Sequence, residues 1–260
     1  WSLGAWAAYT HQPITLRRAG SDDVAFRPIE SLLSLDLTGG VGIGKRAALG
    51  FSLPMFLYQD GSSNLPQTVH TSGTVPSTGM GDLAIHGKGT ILANDGGGFG
   101  LAALGTVTLP TGDRSSFMGE GSLTAGARLL ADYSLLIAGA QLSAGYHVRT
   151  DRRTWPDASV GGFKFGDVLP YSLGLWFRPS VLGVDKEDRQ RWELALHGTL
   201  PIDPVGPFGA GDPGSAQLTP MLLSASDRLA LGHFKDAFVL GGAEVGLTSA
   251  VGVPAFRVIA

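Results

Sequence analysis

Eleven residues carry the only groups in this chain that look placed for joint chemistry: Asp36, Asp82, His86, Lys88, Arg128, Gln141, His147, Arg178, Glu193, His197 and Glu244. They fall on the polar phase of stretches in which apolar and polar residues alternate. If those stretches close into one sheet, the side chains share an interior. Two outcomes are then open. Rings of charge inside a pore select which solutes pass. Alternatively, acids and bases present in similar number pair across the interior and fill it, because buried charge must be paired. For a narrow barrel the expectation is plug-like packing near the middle and water in both vestibules. Single-channel conductance is then expected to be small, and to rise when Arg128 and Arg178 are both replaced by Ala.

Other chemistries find less support. His86, His147 and His197 lie on separate stretches without the local spacing of a zinc motif, so no metal site is expected. Ser143 and His147 share a face, but a lipid-acting hydrolase needs a serine, a histidine and an acid in contact. The expectation is no enzyme and no cofactor. The run GVGIG at 40–44 echoes a phosphate-cradling loop, yet it leads into another strand and not into a helix.

The elements that position these residues are strands. Alternation with period two marks a strand with two different faces. In Ser34–Ile43, Leu35, Leu37, Val41 and Ile43 share one face, and Ser34, Asp36 and Thr38 the other. Residues 48–58 place Leu49, Phe51, Leu53, Met55 and Leu57 together. Residues 82–92 set Leu83, Ile85 and Ile91 against Asp82, His86, Lys88 and Thr90. The same scheme recurs at 2–9, 99–109, 123–130, 136–148, 171–178, 192–200, 219–226, 237–247 and from 256 to the end. About twelve strands result. The phase predicts that Leu35, Leu37, Leu49, Phe51, Leu53, Leu83, Ile85, Leu142, Leu194 and Leu196 face outward.

Connections alternate in length. GKR (44–46), NDGGG (94–98) and ADYS (131–134) are short, whereas 11–30, 59–80, 111–121, 150–165 and 202–216 are long. Short turns at one end and long loops at the other typify outer-membrane barrels. An even strand number puts both chain ends on the periplasmic side. The long loops 59–80 and 150–165, the latter with Asp151, Arg152, Arg153, Trp155 and Asp157, are the candidate surfaces for an envelope protein partner.

Composition agrees. Charged residues make up 16% of the 260 residues and apolar ones 43%, with 39 glycines and no Gly-X-Y period. Collagen and disorder are excluded. A net charge of −3 gives no reason to expect nucleic acid. Without cysteine there is no disulfide framework, no thiolate zinc site and no cysteine nucleophile. No apolar run reaches the ~18 residues a spanning helix needs. A soluble sandwich or lipocalin-like barrel would also alternate. The Leu-, Ala- and Gly-rich apolar faces, with aromatics near strand ends, favour a lipid-facing wall.

Four segments carry a family resemblance: WSLGAWAAYTHQPITLR (1–17), GIGKRAALGFSLPMFLYQDG (42–61), LPTGDRSSFMGEGS (109–122) and VGVPAFRVIA (251–260). Together they resemble the N-terminal barrel of OmpA-family envelope proteins of myxobacterial type. That family follows the barrel with calcium-binding thrombospondin type-3-like repeats and a peptidoglycan-binding domain, neither of which is in this sequence. Residues 79–88 with LPTG (109–112) also resemble a broader transporter-like barrel group that includes porins ascribed to aromatic compounds.

The expected protein is therefore a single all-β domain over 1–260, a transmembrane antiparallel up-and-down barrel of about 12 strands in a bacterial outer membrane. The resemblance implies an anchoring role with at most a narrow pore. A small-solute porin and a lipid-modifying enzyme are the alternatives. The implied partners are outer-membrane lipid and lipopolysaccharide, and peptidoglycan through a further domain. The last strand, from about Ala255 to Ala260, is shorter than the ~9–11 residues of a spanning strand. A chain extended past Ala260 is expected to assemble more stably.

Overall fold

The computed structural model describes residues 1–17, 23–62, 65, 75–94, 96–152, 154–155, 163–202, 219–232 and 237–260. Arg153, Asp157 and most of the connection 202–216 lie outside the described residues.

Twelve strands build the wall: β1 Ser2–Arg17, β2 Val24–Ile43, β3 Ala47–Asp60, β4 Leu83–Leu92, β5 Gly98–Leu109, β6 Thr124–Ser134, β7 Ala138–Arg149, β8 Val168–Phe177, β9 Gln190–Pro201, β10 Met221–Leu231, β11 Ala237–Gly246 and β12 Phe256–Ile259. Each pairs antiparallel with its sequence neighbours, and β12 joins β11 to β1, so the sheet closes. Closure satisfies the backbone groups that an open edge would expose to lipid. A two-residue strand, Gly79–Met80, adds to β3, and a small ladder pairs Phe163 with Trp155. β12 is short: it bridges Gly242–Val245 on one side and Ala8–His11 on the other. Below it, Trp6 of β1 and Phe238 of β11 pack ring to ring, centroids 5.6 Å apart.

Residues opposite one another in a sheet share a face. One row runs Phe51, Ile85, Val107, Ala125, Val148; another runs Leu142, Leu173, Leu196, Leu223, Val245. Most residues of these apolar rows are exposed, Leu142 by 56%, with Leu196 and Leu223 half-buried. The alternate rows are polar, as in His86, Thr106, Gly126, His147. One cavity is bounded by His86 on β4, Thr199 on β9 and residues of every strand between. Side chains of this phase also meet across an intervening strand, His197 of β9 with Glu244 of β11 at 3.2 Å, which the concave side of a closed sheet allows and the convex side does not. The polar rows therefore face the lumen and the leucines face out, as the alternation predicts. Outward aromatics cluster at the ends. Phe99 lies opposite Tyr133, and Phe177 packs on Trp192 at the end with short turns. Tyr9 packs on Phe256 at the other end. Such girdles sit at membrane interfaces.

Two expectations about connections change. Residues 11–30 are mostly strand, since β1 runs to Arg17 and β2 starts at Val24. Pro13, Pro28 and a left-handed Gln12 (φ 53°) interrupt the period there, and the β1–β2 register shifts between His11 and Arg17. Bulges of this kind hide a strand from a period-two reading. The segment 131–134 is also strand: β6 carries Asp132 inward and Tyr133 outward through Ser134, and the turn is 135–137. The other two short turns stand where predicted, with Gly44 at φ 62° opening the first.

Inward glycines do not simply leave space. A Cβ at Gly139 would lie 2.5 Å from the Trp176 ring, and one at Gly174 2.6 Å from Gln141 Nε2. At these two positions the glycine is a slot into which a neighbouring strand lays a long side chain.

Candidate functional site: the barrel lumen

On the wall from β4 to β9 the lumen is basic. His86 is held between hydroxyls of both neighbouring strands, Nε2 to Ser52 Oγ at 3.0 Å and Nδ1 to Thr106 Oγ1 at 3.0 Å. His147 stands in the same cross-strand row. One row along, Lys88, Leu104, Arg128 and Gly145 lie opposite one another. Arg128 reaches across Gly145, where a Cβ would meet its Cγ at 2.6 Å. Arg149 at the end of β7 donates to both oxygens of Glu120, at 2.7 and 3.2 Å. His86, Arg128, His147, Arg149 and Glu120 line one cavity of about 390 Å³.

The opposite wall centres on Glu244, which is 3% exposed. It accepts from Arg257 Nη1 at 3.0 Å and lies 3.2 Å from His197 Nε2. Arg257 also donates to Thr10 Oγ1 at 3.1 Å. Asp36 and Arg257 line a second cavity of about 270 Å³ with Trp6, Pro54 and Phe56. Toward the short-turn end, Arg191 pairs with Glu193 at 2.7 Å and stacks 5.0 Å from the Trp176 ring. Every lumen ion pair among the described residues joins groups on one strand, on adjacent or next-but-one strands, or on the neighbouring loop. None crosses the lumen.

Asp36, His86, Lys88, Arg128, Gln141, His147, Glu193 and His197 thus face the interior. Two expected members do not belong to its lining. Asp82 sits at the mouth, where its carboxylate accepts from Gly112 N–H at 2.8 Å and Glu120 N–H at 2.7 Å. It clamps the loop between β5 and β6. Arg178 lies past the end of β8, in the turn that follows, and pairs with Asp188 at 2.8 Å. Both look in phase in the sequence because the alternation runs on past the strand ends. Replacing Arg128 and Arg178 together would therefore alter one lumen group and one turn group.

Arg149, Arg257 and Glu120 were missed. Arg149 is in phase with His147 and Arg257 with Thr10, so period two alone carried that signal. Glu120 comes from a loop that folds into the mouth. Its Met118 is buried, packed by Gly79 and beside Gly81. Gln59 of β3 donates to Ser116 O at 2.9 Å and holds the loop down. Ser143 bonds Ser172 Oγ at 2.8 Å.

At the mouth, Asp167 accepts from Tyr146 Oη at 2.9 Å, Arg149 N at 3.1 Å and Arg152 Nη2 at 2.7 Å. Burial alone would raise its pKa. The donors outweigh burial and hold the carboxyl below its ordinary value.

No family model and no curated protein matches the chain. Among solved structures it resembles an outer membrane channel from Pseudomonas putida F1, with TM-score 0.68 and 14% identity over 99% of this chain and 91% of that one. Salmonella typhi OmpF aligns over 99% and 95% of the two chains at 8% identity, with TM-score 0.40. The chain is an all-β, closed, twelve-stranded barrel of the outer-membrane type.

Proposed function

We propose that this barrel is a passive channel for small polar solutes in a bacterial outer membrane. The observation that carries the reading is the direction of the lumen ion pairs. They run along the wall and leave the two cavities between them. A barrel whose only task is anchoring can fill its interior with pairs that cross it; these do not. The structural relative of TM-score 0.68 is itself described as an outer membrane channel. Lipid and lipopolysaccharide surround the leucine belt in this reading, and the long-loop end faces the cell exterior.

The test is conductance of the purified full chain in planar bilayers. Discrete currents are expected, small because the loop 110–123 occupies part of the mouth. A folded, heat-modifiable barrel that passes no current returns the assignment to an OmpA-type anchor.

A further inference from the structure

We propose that the β4–β9 cavity is a binding station for small oxyanions, carboxylate or phosphate, with Arg128 as its anchoring cation. The inference deepens the channel reading by naming a solute class, and it rests on that reading for its place on a transport path.

Three observations converge. First, the groups around the cavity are donors in excess. Glu120 is an acid of the lining, and both its oxygens are engaged by Arg149. Among the described residues no carboxylate lies within ion-pair distance of Arg128, whereas Glu193 and Glu244 each have a basic partner. Second, the wall is shaped to hold this cation. The Arg128 stem lies in the slot that Gly145 leaves, which fixes the side chain along the wall. Third, the surroundings suit an oxyanion. Thr106 and Thr199 add hydroxyls to the same lining, and His86 is already oriented by two hydroxyl neighbours. Guanidinium groups bind carboxylate and phosphate through paired N–H donors. The cavity, about 390 Å³, is of the size that takes a small organic ligand.

The opposite wall differs in kind. There Glu244 satisfies Arg257 and His197 at once, and Asp36 adds a further acid. An anion crossing the lumen is therefore drawn to one side, the side of Arg128.

The experiment uses the full chain in detergent micelles, with ¹³C-acetate and inorganic phosphate as separate probes followed by NMR line broadening. Saturable broadening of at least one probe is expected, weakened tenfold or more in Arg128→Gln and by less than that in Arg128→Lys, which keeps the charge and loses the paired donors. Lys45→Ala, in the turn 44–46, removes the same charge away from the cavity and should leave binding unchanged. Acetate alone, phosphate alone, or both saturating identifies the oxyanion. If neither probe saturates, or if Arg128→Gln binds as wild type does, the station does not exist. Should Arg128→Gln fail to fold, Arg128→Met, which keeps an unbranched stem in the Gly145 slot and removes the charge, is read in its place against the same criterion. Binding is measured without current, so a conducting barrel that binds neither anion sinks this inference alone. A barrel that binds but never conducts sinks the channel reading.

Discussion

At the scale of single residues, Glu244 is the most constrained ionisable group in the lumen. It is 3% exposed and serves two bases, Arg257 at 3.0 Å and His197 at 3.2 Å. Removing one partner of a buried pair leaves uncompensated charge. Glu244→Gln keeps the shape and deletes the charge. It is expected to destabilise the barrel by about 3 kcal/mol, the lower end of the usual range, because the cavity beside Arg257 admits water. Equilibrium urea unfolding in lipid vesicles measures this, and a change below ~1 kcal/mol would show the pair to be solvated. His197 and Glu193 were readable from the sequence because each sits in phase on a regular strand. Asp82 and Arg178 were misplaced because phase says nothing about where a strand stops. Glu120 was invisible for a third reason: the geometry of a loop is set by tertiary contacts such as Gln59 to Ser116 O, which leave no periodic trace.

At the scale of elements, the loop between β5 and β6 and the entrance to β8 control the mouth. Asp82 holds the loop through two backbone N–H groups. Asp82→Ala leaves both donors without their acceptor and frees the loop. The expected result is larger and noisier single-channel current; an unchanged current would place the constriction elsewhere. The Asp167 network gives a pH dependence. Its folded-state pKa lies below the ordinary value near 3.8, so its contribution is fully present above about pH 4. The contribution is lost as pH falls through the depressed value. Protection factors of residues 146–152, exchange measured against the intrinsic rate at each pH, should therefore fall below pH 4, and Asp167→Asn should flatten that dependence. Strands with clean alternation, such as β4 and β5, were legible almost to the residue. β1 and β2 were not, because Pro13, Pro28 and the register shifts near His11 break the period that signals a strand.

At the scale of the whole molecule, function depends on which face of the sheet meets lipid. Closure gives the wall a concave and a convex side, and the alternation assigns every residue to one of them. Leu142 and Gln141 are neighbours on β7 and test the assignment directly. Leu142 belongs to the exposed row that continues through Leu173, Leu196, Leu223 and Val245. Gln141 lies in the slot of Gly174 on the inner side. An arginine on the lipid face near the bilayer midplane costs about 2–4 kcal/mol, whereas lumen positions accept charge. Leu142→Arg is therefore expected to lower unfolding stability in vesicles by that amount, and Gln141→Arg by less than ~1 kcal/mol. A thicker bilayer should raise the Leu142→Arg penalty and leave Gln141→Arg unmoved, since only the first residue senses lipid. Equal costs at the two sites, or a larger cost at Gln141, would mean that the leucine rows do not face the membrane. The lumen, the oxyanion station and the channel reading would then all lose their foundation together.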